Sequence, residues 1–227
     1  MTSLPPGQRE RSDFPRFGLG RFAKRFPADP VTRAFSVGGD VATELARIEP
    51  FETLERVEQT SDFHCVTSWS KRGLNWSGIR FADFHRMVSE QAKPAPDAKL
   101  VVFRGQDGYA CALPLDDLLR DGVLLADRLD GAPLGLDHGA PLRLVAPAHY
   151  GFKNVKHIGR IEYWRDSRNY RFPFPYPGFM DHPRGRVAFE ERGRFFPAWL
   201  LRTLYRLLIP SSVWNFRRAL RKHEGRR

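Results

Sequence analysis

Cysteine is scarce in this chain, with two in 227 residues. At most one disulfide could form, which excludes the small disulfide-stapled secreted class. No Cys-x-x-Cys-His run occurs, so covalent haem attachment of the c type is excluded as well. Long apolar runs are also lacking. No stretch approaches the roughly 18 uninterrupted apolar residues of a membrane span, so no transmembrane segment is expected. The first thirty residues contain no continuous apolar core of a secretory signal, which makes the expected location cytoplasmic. No segment repeats. Gly18-Leu19-Gly20 has neither a preceding strand nor a third glycine, so it reads as a basic loop and not a dinucleotide fingerprint.

What remains is a globular composition, 41% hydrophobic and 13% aromatic, long enough to bury one sizeable core. The formal net charge of +11 is uneven. Residues 1–35 carry seven basic against three acidic side chains, and residues 194–227 carry nine against one, leaving the centre near neutral. Basic ends suit nucleic acid, anionic lipid or an acidic protein, and charge alone does not choose among them. Three regions follow: an irregular basic arm over residues 1–30, a core over 31–165, and a proline-rich loop with a basic helical extension over 166–227.

The core alternates strand and short-helix signals. Strands are expected over residues 32–37, 53–59, 100–103, 109–113, 123–126, 142–145 and 157–163, with a turn at Asp130-Gly131. The stretch 43–51 reads as helix-like or irregular. Phe81, Phe84 and Val88 share one face of a helix over 81–90, which Pro94 and Pro96 end. A second short helix is expected over 115–119. Without a βαβ rhythm the class is α+β, with mixed sheets and short helices, not a doubly wound sheet. Phe172-Pro173-Phe174-Pro175-Tyr176-Pro177 cannot pair as a central strand and is expected to lie as an ordered loop over the core. Residues 194–209 read as a helix with Phe195, Trp199, Leu200, Leu204, Leu207 and Leu208 along its apolar side and Arg202 and Arg206 on a flank. Docking on its own domain is favoured for this helix, and peripheral membrane contact is the alternative.

The chemistry gathers at Asp62-Phe63-His64-Cys65-Val66-Thr67-Ser68-Trp69-Ser70 and the following Trp76-Ser77-Gly78. Alone, Cys65 reads as a buried core thiol, a nucleophile or a soft metal ligand. Cys111, in an alternating run, reads as core. A second stretch lies at His138-Gly139-Ala140-Pro141-Leu142-Arg143, continuing through Tyr150-Gly151-Phe152-Lys153-Asn154-Val155-Lys156. These two motifs, in this order and at this spacing, resemble the sulfite oxidase family of molybdopterin-dependent oxidoreductases. The resemblance covers roughly residues 31–165.

It implies a sulfite oxidase-type molybdopterin-binding fold and two-electron oxo transfer at molybdenum, with Cys65 as the metal ligand beside the pterin's dithiolene sulfurs. It places Asp107, His138 and Arg143 on positions that contact the pterin, and Asn154, Val155 and Lys156 on the segment that closes around its phosphate. Arg143 and Lys156 are chemically suited to an anion, Arg as a bidentate donor and Lys as a point charge. Each also has a plain structural reading: Asp107 before Gly108 as a hairpin turn, His138 as a turn residue, Arg143 on a strand edge. The arm around Phe14 to Phe17 is expected to pack beside the cofactor.

Two departures bear on substrate. The family's tyrosine near the metal falls on Asp127, and its arginine after the ligand cysteine falls on Ser70. A dianion such as sulfite loses a cation and meets a carboxylate, so sulfite is not favoured and the small-molecule substrate is open. His64, Trp69, Asp127 and His149 are the expected pocket residues, with Asp127 the catalytic candidate beside Cys65. The family's haem domain has no counterpart here, which implies a separate electron donor or acceptor protein. Three other readings stand beside this one. They are a metal-free cysteine-dependent thiol enzyme, a basic nucleic-acid-binding module (not favoured), and a chain that keeps the cofactor pocket without catalysis.

Overall fold

A computed structural model describes residues 3–16, 18–176 and 178–225. Phe17 and Pro177, the basic pair Arg226 and Arg227, and the side chains of Arg206, Leu208, Ile209 and Pro210 lie outside the described residues.

In chain order the strands are β1 (Arg9–Glu10), β2 (Phe35–Gly39), β3 (Leu45–Ile48), β4 (Arg56–Cys65) and β5 (Trp69–Arg80). Helix α1 (Phe81–Gln91), β6 (Leu100–Gly105), β7 (Ala110–Pro114), α2 (Leu115–Leu118) and β8 (Leu124–Leu129) follow. The chain ends with β9 (Ala132–Pro133), β10 (Arg143–Val145), β11 (Ile158–Trp164) and α3 (Ala198–Glu224). One sheet runs β1-β5-β8-β10, with β4 added on β5 and β9 on β8. The other runs β3-β2-β11-β6-β7. With two mixed sheets and few helices the fold is α+β, as the missing βαβ rhythm implies.

The sheets are built by alternation. Along β4, outward positions such as Arg56, Glu58 and Thr60 pair with β5 residues, from Arg56 opposite Ile79 down to Cys65 opposite Trp69. Between the sheets lie Val37, Ile79, Phe103, Leu113, Leu125, Ile161 and Tyr163, closed at one side by Phe81, Phe84 and Val88 of α1. Burying each such side chain contributes about 1.5–3 kcal/mol. Gly78 lies where β5 crosses β8: a Cβ there would sit 2.1 Å from the Leu125 carbonyl oxygen. The glycine of the Trp-x-Gly motif is therefore a requirement of close backbone approach.

Four expectations need correction. The stretch 43–51 forms β3 and a 3₁₀ turn over Pro50–Glu52, because β2 offers Phe35 and Val37 as antiparallel partners. The strand expected over 53–59 begins at Arg56 and continues to Cys65, since pairing with β5 extends it beyond its own alternation. The arm is not wholly irregular, because Arg9 and Glu10 pair in parallel with Trp69 and Ser70. The terminal helix starts after Pro197 and runs through Pro210 to Glu224.

Residues 166–193 lie over the core. Lys153 and Asp181, both buried, pair at 2.7 Å, and Arg184 reaches buried Asp117 at 3.0 Å. The Tyr150 amide donates to the Gly185 carbonyl at 2.8 Å, and that of Val187 donates to Ala148 at 2.9 Å.

Candidate functional site

Cys65 ends β4, where the chain turns into β5. The Ser68 amide closes the turn on the Cys65 carbonyl at 3.1 Å, with Ser68 at φ 75°. Both ends of the chain hold this turn. From the arm, the Gln8 side-chain amide donates to the Cys65 carbonyl at 3.2 Å, and Ser70 Oγ donates to Gln8 Oε1 at 3.0 Å. His64 Nδ1 meets the same Ser70 Oγ at 2.7 Å. From the C-terminal segment, buried Arg192 donates to the Val66 carbonyl at 2.5 Å and to Ser68 Oγ at 3.1 Å. The buried sulfur lies 3.1 Å from Thr67 Oγ1. Burial pushes the Cys65 thiol up, while the Thr67 contact and the charges of Arg192 and Lys156 act the other way.

The sulfur lines a cavity of about 240 Å³ whose walls come from distant parts of the chain. The arm contributes Arg16 and Phe22, the β6–β7 hairpin contributes Asp107 and Tyr109, and the loop before β11 contributes Asn154 and Lys156. Tyr176 and Met180 of the proline-rich segment and Tyr205 and Phe216 of α3 close the other side. The Tyr176 hydroxyl accepts the Arg21 amide at 2.7 Å, tying that segment to the arm.

Three cations gather at the cavity, Arg16 and Lys156 on its wall and Arg143 beside Lys156. Arg16 is buried and donates to the carbonyls of Ala23 and Arg25, each at 3.0 Å, and to that of Leu136. Arg143 is fully buried, donates to the His138 carbonyl at 2.9 Å, and stacks over Trp76 at 4.8 Å. Neither arginine pairs with a carboxylate among the described residues, and burial pushes Arg143 down to about 9. Lys156 reaches the Asp137 carbonyl at 2.6 Å. Burial, with Arg16 and Arg143 nearby, holds its ammonium well below the usual range. His138 and His157 are pushed down to about 4 and about 3, first by burial and then by these charges, so both are neutral near pH 7. Among the described residues, His138 Nδ1 and His157 Nε2 are buried without a hydrogen-bond partner. Asp107 and Asp137 are the carboxylates nearby. Burial raises Asp107, whose Oδ1 accepts the Tyr109 amide at 2.9 Å.

The structure thus brings Cys65, Asp107, Asn154 and Lys156 onto one cavity. Arg143 and His138 lie behind Lys156, with His138 stacked on Phe14 at 4.4 Å. Val155 does not join them. Its side chain is in the main core and its amide is taken by the Lys153 carbonyl at 3.0 Å. Asn154 clamps its own loop, accepting from the Ala146 amide at 2.7 Å and donating to the carbonyls of Ala146, His149 and Tyr150.

The expected pocket residues are placed elsewhere. Asp127 is off the cavity wall and bound by Arg56 at 2.6 Å and Arg33 at 2.9 Å. Burial acts to raise its pKa, but the two arginines outweigh this and hold the carboxyl below its ordinary range. His64 is engaged with Ser70, and Trp69 packs against Phe14 and Phe63. His149 is buried near Asp117 and Arg184. Sequence reasoning missed Arg16 and Arg192 as site residues. In an arginine-rich chain neither carries a local signal, and Arg192 meets Val66 across 126 positions.

The comparisons with known proteins bear on the family and the fold. The model of the oxidoreductase molybdopterin-binding domain matches residues 23–171. The chain is 32% identical over 191 residues to the uncharacterized oxidoreductase YuiH of Bacillus subtilis, covering 84% of this chain and 87% of that protein. It is 31% identical over 149 residues to the mitochondrial sulfite oxidase of Drosophila melanogaster, covering 61% of this chain but 23% of that protein. Among solved structures, the sulfane dehydrogenase SoxCD from Paracoccus pantotrophus superposes with a TM-score of 0.53 at 18% identity. That likeness covers 63% of this chain and 40% of the other, and it concerns the fold alone.

Proposed function

The chain belongs to the oxidoreductase molybdopterin-binding domain family, and from that premise we propose that it is a molybdopterin-dependent oxidoreductase in which Cys65 is the metal ligand. The residues present suit such a cofactor. Two buried arginines bonded only to carbonyls, with Lys156 beside them, gather charged donors at the cavity that suit an anion. A terminal phosphate would accept from these donors, and His138 Nδ1 and His157 Nε2, unpaired among the described residues, lie among the same charges. Among the described residues no three His, Cys, Asp or Glu side chains converge on a metal site. Cys65 as a single protein donor therefore suits a metal carried largely by its own organic ligand.

When bound, the cofactor supplies two-electron oxygen-atom transfer at molybdenum. The chain's own part is to place and shield it. Cys65 would hold the metal as a thiolate, with the Thr67 hydroxyl 3.1 Å away placed to stabilise that charge. Arg192 and Gln8 hold the turn that carries it. Arg16 and Lys156 on the wall, with Arg143 beside Lys156, would hold the phosphate, and Tyr176, Met180, Tyr205 and Phe216 would shield the cofactor from water.

This wall also bears on substrate. Ser70 offers no cation beside Cys65, and Arg192 is committed to the turn. An aromatic and thioether surface favours an uncharged organic sulfoxide or N-oxide over a dianion such as sulfite. Asp127, held by two arginines, is assigned a structural role. Electrons pass to or from a separate protein or small carrier.

The carrying observation is that Cys65 lines the same cavity as the cations Arg16 and Lys156. The test is elemental analysis of protein made in a host that synthesises the cofactor, beside Cys65→Ser. Near-stoichiometric molybdenum in the parent and its loss in the variant are expected, followed by turnover of sulfoxides with a reduced dye. Folded, metal-free parent protein from that host overturns the reading.

A further inference from the structure

Helix α3 presents two unlike faces. Leu201, Tyr205, Val213 and Phe216 are buried, and three residues of this inner face, Tyr205, Ser212 and Phe216, wall the cavity. On the outer face Leu200, Leu204, Leu207 and Trp214 fall with Arg218, Arg221 and Lys222 in one stripe roughly 100° wide at about 100° per residue. Its apolar part is strongly exposed: 76% for Leu207 and 57% for Trp214, joined at the helix start by Trp199 at 63% and Phe195 at 89%. Among the described residues, seven of the twelve exposed large hydrophobic residues lie between 195 and 214, so this is a patch and not scatter.

The charges on this helix divide in the same way. Arg202 and Arg217 are engaged by Glu190 and Asp13 at 3.7 and 2.8 Å. Arg218, Arg221 and Lys222 form no ion pair among the described residues, and Arg218 instead lies over Trp214 at 5.4 Å. Glu224 is the acidic neighbour. The outer stripe therefore combines tryptophan, phenylalanine and leucine with unpaired cations along a helix about 40 Å long. Among the described residues no helix is long and apolar enough to cross a membrane.

We propose that α3 lies in the plane of an anionic lipid surface. Its aromatic and leucine side chains enter the boundary between headgroups and acyl chains, and Arg218, Arg221 and Lys222 meet the lipid phosphates. Charge complementarity selects this occupant. A stripe ending in three free cations matches a continuous negative surface, and tryptophan beside leucine is suited to its interface. The inference is independent of the cofactor reading.

The test is flotation of the full chain with vesicles of phosphatidylcholine alone or of phosphatidylcholine mixed with phosphatidylglycerol. Binding to the anionic vesicles, weakened at high salt, and a blue shift of tryptophan emission are expected. Arg218→Glu with Arg221→Glu and Lys222→Glu weakens binding about 100-fold, from roughly 1 kcal/mol per cation. Leu207→Ser with Trp214→Ser weakens it about tenfold or more while leaving the thermal midpoint in place. Failure to float with anionic vesicles overturns the proposal, as does equal binding to both vesicle types. A lipid-free dimer that Leu207→Ser with Trp214→Ser dissolves also overturns it, by assigning the face to a second copy.

Discussion

Replacing Arg143 by methionine separates what the cation does for the fold from what it does for a ligand. The guanidinium is fully buried, donates to the His138 and Leu144 carbonyls at 2.9 and 3.3 Å, and has no carboxylate partner among the described residues. Burial lowers its pKa from 12.5 to about 9, which corresponds to about 5 kcal/mol of unfavourable desolvation. For a base whose folded pKa is depressed, that cost is fully present below about pH 9 and fades only as pH rises towards the unfolded value. At neutral pH Arg143→Met removes it. Against that stand one or two lost hydrogen bonds, about 1–2 kcal/mol, and the stacking on Trp76, about 1 kcal/mol. The cofactor-free variant should therefore be more stable by about 1–3 kcal/mol, raising its midpoint by about 2–10 °C. The same change should remove most of the cofactor retained on purification, and inorganic phosphate should raise the midpoint of cofactor-free parent protein more than that of the variant. The assay is thermal and urea unfolding of both proteins at pH 7. A cofactor-free variant less stable than the parent refutes the argument, because Arg143 would then be a satisfied structural residue.

Asp127→Asn leaves Arg33 and Arg56 without their shared carboxylate and should cost about 1–3 kcal/mol without changing molybdenum content; loss of metal in a folded variant would return Asp127 to the site. Its carboxyl is depressed in the folded state, so its contribution is present above the unfolded value of 3.8 and is lost as pH falls through the lower folded one, a difference readable in acid unfolding of parent against variant. Gly78→Ala drives a methyl group to 2.1 Å from the Leu125 oxygen and should cost about 2–4 kcal/mol in urea unfolding, with a parent-like midpoint counting against the packing described. Asp181→Asn strands the buried Lys153 ammonium, at about 3–5 kcal/mol, and should open residues 170–193 to limited proteolysis; unchanged protection there would show the segment is held by other contacts.

The sequence by itself determined the fold class and the cofactor family. Alternating strands without a βαβ rhythm specify α+β because side-chain period follows backbone period. Cys65, Asp107 and Lys156, singled out from short motifs far apart in the chain, line one cavity. Only the tertiary structure decided which residues complete the cavity. Arg16 and Arg192 are arginines among many until the fold puts Arg16 on the cavity wall and Arg192 on the turn that carries Cys65. Asp127 shows the converse. Its position matched a family site, yet Arg33 and Arg56 converge on it from separate strands and loops and take up its charge. Pairing across such separations is set by packing and charge neutralisation in three dimensions, and no local pattern encodes it. For α3 the sequence showed an apolar helix with a basic end. Burial of Leu201, Tyr205 and Phe216 against the core decided which apolar side chains are left on the outside.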